Sequence, residues 1–161
     1  MPAWVGGGDY YSADAQDYLV SWCQCMFTAA NQTVVDYLGF WNEPFWRSDT
    51  WGTVDFVVEL RRKLDAAGFA KTKLVLLDGA TGNINTATHS TNGVPPDFLA
   101  ALRGNATFRD AVEVVGYHYS GSMAAVKALQ SAKPKIKIWE TENSPVGWGA
   151  LEVVVLTGAS F

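Results

Sequence analysis

The chain has 161 residues, 48% of them hydrophobic, which is enough for one compact core and suggests one domain. Its net charge of −4 and pI of about 5.0 come with no basic patch, which sets nucleic acid aside as a partner. No apolar run approaches the ~18 residues of a membrane span, and the opening "MPAWVGGGDYYSADAQDYL" lacks the basic end and apolar stretch of a signal peptide, so the chain is expected either to be cytosolic or to lack its natural start.

Residues 13–30 read as a helix, because Tyr18, Leu19, Trp22, Met26 and Ala29 recur at helical spacing. Cys23 and Cys25 lie on it two positions apart, where side chains diverge, so neither a mutual disulfide nor a metal site is expected. "TVVDYLGFW" (33–41) is rich in β-branched and aromatic residues and reads as a strand, ended by Asn42-Glu43-Pro44. "WGTVDFVVELRRKLDAAG" (51–68) reads as an amphipathic helix, with Asp49 or Thr50 as its N-cap and Gly68 past its end. Its basic run, Arg61-Arg62-Lys63, is read as a solvated face. "KLVLLDG" (73–79) is a near-continuous apolar run, the mark of a strand buried on both faces. A polar loop follows over 79–96, in which His89 is given no chemical role. Pro95 and Pro96 open a helix through 97–104. "AVEVVGYHY" (111–119) reads as a strand, 122–132 as a helix and 135–142 as a strand. Asn31-Gln32-Thr33 and Asn105-Ala106-Thr107 are glycosylation sequons, weak signs of a secretory route.

Strands that alternate with helices imply parallel βαβ units. Two architectures satisfy that pattern: an open doubly wound sheet, or part of an eight-stranded barrel. No glycine-rich phosphate loop follows a strand, which weakens the nucleotide-binding version, and no cofactor is expected. The barrel version is favoured by the residues at the C-terminal strand ends, where barrel active sites lie. The first strand ends in Asn42-Glu43, the second in Asp78, the third in His118-Tyr119 and the fourth in Glu140-Thr141-Glu142.

Two carboxyl groups facing each other across a bond suit glycoside hydrolysis. Glu43 stands among Trp41, Pro44, Phe45 and Trp46, an apolar setting that favours the protonated form and hence the acid role. Asn42 can hold a sugar hydroxyl without titrating. Ile136, Ile138, Glu140 and Glu142 share one parity, so either glutamate could face inward as the second carboxylate. Position alone favours Glu142, which lies nearer the rim. His118 and Tyr119 are candidates to orient the nucleophile or the sugar, and Asp78 is read as structural.

Taken in order, "YLGFWNEP", "LRRKLDAAGF", "KLVLLDG", "VEVVGYHYSG" and "KIKIWETENSP" resemble the galactocerebrosidase (galactosylceramidase) family, glycoside hydrolase family 59, over about residues 2–148. The resemblance implies an α/β fold of the (β/α)8 barrel type, of which this chain would hold the part from the third helix to the seventh strand, with 149–161 as a divergent tail. It implies retaining removal of β-galactose from galactosylceramide-type glycolipids, in a lysosomal or secreted setting, with a lipid-presenting activator protein as a candidate partner. Glu43 matches the family's acid/base, Glu142 its nucleophile, and Gly116, His118 and Tyr119 its Gly-x-His-Tyr. Another barrel glycosidase (a glucosylceramidase or an endo-galactanase) and a non-catalytic sugar-binding α/β domain are the alternatives. As part of a barrel, the chain alone is expected to be poorly soluble and to have little activity, because two sheet edges and an apolar face would be bare.

Overall fold

The computed structural model describes residues 3–29, 35–40, 42, 53–78, 94–118 and 123–142, and the side chains of all of these except Phe27 and Glu142. Glu43, Tyr119, Asn31, His89 and the 149–161 tail lie outside the described residues. After a short 3-10 turn at Gly6–Gly8, the elements are α1 (Ala13–Ala29), β1 (Tyr37–Gly39), α2 (Val54–Ala66), β2 (Lys73–Leu76), α3 (Pro96–Gly104), α4 (Ala106–Ala111), β3 (Val112–His118), α5 (Met123–Ala132) and β4 (Lys137–Glu142).

Local chemistry sets the element ends. The Ser12 hydroxyl accepts from Ala15 N at 3.1 Å and starts α1. Thr53, rather than Asp49 or Thr50, caps α2: it is extended (φ −125°, ψ 155°), and its hydroxyl accepts from Phe56 N at 3.0 Å. Losing that bond by Thr53→Ala is expected to cost about 1 kcal/mol. Thermal melting would show it, with Thr53→Ser close to the parent. Gly68 ends α2 at φ 91°, a left-handed turn that lets Phe69 N donate back to Leu64 O at 2.8 Å. Asn105 serves two helices. Its backbone N–H closes α3 on Ala101 O, and its side chain accepts from Phe108 N at 2.9 Å to open α4, a helix the sequence reading did not anticipate. Arg61 departs from the expected solvated face. Its guanidinium is largely buried and donates to the Phe69 and Thr72 carbonyls, which ties the end of α2 to the start of β2.

The four strands form one parallel sheet in the order β1-β2-β3-β4. Each strand lies beside its predecessor. A doubly wound sheet reverses that order at its switch point, whereas a barrel does not. Leu38, Leu74, Leu76, Val115, Tyr117 and Ile138 point from one face into the helix-covered core, alongside Phe56, Val57, Leu60, Leu64, Phe98, Leu102 and Leu129. On the other face the edge strands meet. The Tyr37 and Trp139 rings, from β1 and β4, have centroids 4.4 Å apart, and Lys137 Nζ donates to Tyr37 Oη at 3.2 Å. In a flat sheet these strands would lie roughly 14 Å apart, three strand spacings. The sheet is therefore curled into a trough, as a partial barrel requires.

Candidate active site

Because all four strands run parallel, their C-terminal ends share one rim. Asn42 lies beyond β1 and is exposed. β2 is followed by Leu77, whose φ of 60° is left-handed and unfavourable for a branched side chain, and then by Asp78. β3 ends in His118, which is 3% exposed, and β4 ends in Thr141 and Glu142.

Three of these residues are linked. His118 Nε2 lies 3.1 Å from Asp78 Oδ1. A carboxylate oxygen accepts, so the ring nitrogen facing it carries the hydrogen. The same Asp78 oxygen accepts from the Thr141 hydroxyl, which also reaches Tyr117 O at 3.2 Å. Asp78 follows β2 and Thr141 is on β4, so this link crosses β3, and it does so over Gly116. A Cβ there would sit 3.0 Å from Asp78 Oδ1 and 3.1 Å from Thr141 Oγ1. Asp78, read from sequence as structural, thus belongs to the rim cluster. Thr141 was named only as a strand-end residue and Gly116 only within the family's Gly-x-His-Tyr, although a glycine two residues before a strand-end histidine is a sign of such a close crossing.

The register explains the two glutamates of β4. Tyr117 pairs with Glu140, but His118 pairs with Glu142, because an irregularity between Tyr117 and His118 gives β4 one extra residue. The shared parity of Glu140 and Glu142 therefore does not put them in equivalent places. Glu140 is 6% exposed on the helix-covered face beside Tyr117, not in the trough. Burial pushes its carboxyl above the ordinary range, and both its oxygens lack a hydrogen-bond partner. The Tyr117 hydroxyl is orphaned too, and burial, helped by the Glu140 charge, pushes it up to about 12. Glu142 takes the register position opposite His118 at the rim.

Among the described residues no group of three His, Cys, Asp or Glu side chains could hold a metal ion, and no helix is long and apolar enough to cross a membrane. The model of glycosyl hydrolase family 59 matches residues 1–157. A galactocerebrosidase of Salmo salar is 28% identical over 157 residues, covering 92% of this chain and 20% of its own length. A galactocerebrosidase of Danio rerio is 26% identical over 147 residues, covering 89% of this chain and 18% of its own. The chain thus spans about a fifth of the length of these curated relatives. A curled parallel sheet with its polar residues on one rim is what a barrel hydrolase family calls for, and with that family's model matched along nearly its whole length, the chain belongs to glycosyl hydrolase family 59.

Proposed function

We propose that this chain supplies both carboxylates of a retaining glycosidase site that removes β-galactose from galactosylceramide-type glycolipids. The observation that carries this reading is the contact of β1 with β4 across the trough through Tyr37 and Trp139. That contact, between the first residue of β1 and the middle of β4, supports a pairing of Glu43 with Glu142 across the curl. On an open sheet they would lie too far apart to share a bond; a retaining pair needs about 5–5.5 Å between its carboxyl groups.

In this reading Glu43 is the acid and Glu142 the nucleophile. Glu43 gives its proton to the glycosidic oxygen as the bond to the anomeric carbon breaks. Glu142 attacks that carbon from the opposite face and forms a glycosyl ester. Glu43, now ionised, takes a proton from water, which attacks the same carbon and frees the sugar and Glu142. Asn42, His118 and Tyr119 hold the sugar. The ceramide tail of such a substrate resides in a bilayer, so a lipid-presenting partner and a lysosomal or secreted setting accompany the proposal.

The test is a galactose carrying fluorine at C2 and a fluoride leaving group, incubated with the chain and followed by peptide mapping. A single added glycosyl group on Glu142, absent in Glu142→Gln, supports the assignment. Labelling of Glu140, or of no residue, overturns it. A glucose-configured probe that labels faster would move the substrate to a glucoside.

A further inference from the structure

The end of β4 raises a question that the family match does not answer: what holds one extra residue in that strand, so that Glu142 and not Thr141 stands opposite His118. A bulge leaves one residue of its strand outside the ladder, so contacts other than the ladder must fix that residue. Here Thr141, the extra residue, is bonded on two sides. Its hydroxyl donates to Asp78 Oδ1 from across β3 and also reaches Tyr117 O at 3.2 Å. Neither bond survives a slip that carries Thr141 one place along the ladder. The crossing runs close over Gly116, where a Cβ would press on both partners, at 3.0 and 3.1 Å. Asp78 is itself set by Leu77, whose left-handed backbone turns the chain at the end of β2. Such strained residues persist where the surroundings over-determine them and cluster at functional sites.

We infer that Asp78 and Thr141 form a clamp over Gly116 that fixes the β4 bulge and thereby holds Glu142 level with His118. They are positioning residues for the nucleophile. The role rests on the assignment of Glu142 proposed above, while the clamp itself can be tested without it. Asp78 has a double part, because the oxygen that anchors Thr141 also faces His118 Nε2 at 3.1 Å. One carboxylate thus sets both members of the row.

The test compares Thr141→Val, which keeps the branched shape and loses the hydroxyl, with Thr141→Ser, which keeps the hydroxyl. In the unmodified chain, NMR should show a backbone contact between His118 and Glu142 and a slowly exchanging Thr141 hydroxyl proton. In Thr141→Val the contact should move to His118 and Val at 141. The maximal rate of labelling by the fluorinated galactose should fall about tenfold or more, with the concentration for half-maximal rate within about threefold of the parent. Thr141→Ser should restore both register and rate. If Thr141→Val keeps the His118–Glu142 contact and labels within about twofold of the parent, the clamp is refuted. If Thr141→Val does not fold, the hydroxyl proton decides: a fast-exchanging Thr141 hydroxyl in the parent refutes the clamp and a protected one supports it. An unmodified chain that takes no label removes the nucleophile assignment, and the NMR contacts then judge the clamp alone.

Discussion

Glu140→Leu is expected to make the protein more stable at neutral pH, by about 1–3 kcal/mol. Glu140 is 6% exposed, and neither carboxyl oxygen has a hydrogen-bond partner. Burial raises its pKa in the folded chain above the ordinary carboxylate range. The sign follows from linkage. A raised folded pKa means the native state holds the proton that the unfolded state releases. The parent is therefore penalised least below about pH 4.5 and loses stability as pH rises toward the folded value. Leucine has no such term. The stability difference between the two proteins, taken from urea unfolding, should be largest at pH 7 and shrink as pH falls toward 4.5. Glu140→Gln should flatten the pH dependence in the same way but gain less, since its amide would still be buried without partners. A parent that gains stability over Glu140→Leu as pH rises would refute this account.

Phe108→Ala is expected to cost about 3–5 kcal/mol, the largest loss from any single side chain discussed. Phe108 is fully buried, and its ring meets Phe98 edge-on at 5.4 Å. It sits in α4, a helix of six residues that packs against α2 and α3 and leads directly into β3. So short a helix has little stability of its own and depends on that packing. The cavity left by alanine would loosen the approach to the strand that carries Gly116 and His118. Against a total of about 5–15 kcal/mol for a domain, the loss would take the chain close to its unfolding limit. Urea unfolding of the variant measures it, and a loss below about 1 kcal/mol would mean the site collapses around the missing ring.

Much of this was legible in the sequence because the strands are written in β-branched runs and the long helices in a 3.6-residue period. The parallel order followed from their alternation. Three features were hidden for physical reasons. α4 is too short to show a period, and the Asn105 that announces it was read only as a sequon residue. The cap of α2 moved to Thr53 because several residues in a row could cap, and only backbone geometry selects among them. Glu140 and Glu142 stayed undivided by face because alternation assumes an unbroken ladder, and the extra residue between them gives Glu142 a different register place. Asp78 shows the same limit: its partners are His118 and Thr141, far away in the sequence.

The order β1-β2-β3-β4 also bears on how the molecule is made. Each strand needs only the one before it, a single crossover back along the chain. Each parallel pairing is slow to close, because a whole crossover must be ordered first, but no strand of the four must be threaded beneath an earlier one. Emerging from a ribosome, these four strands can be laid down from one side like successive planks of a hull, and the bend between Tyr37 and Trp139 is sealed only when β4 arrives.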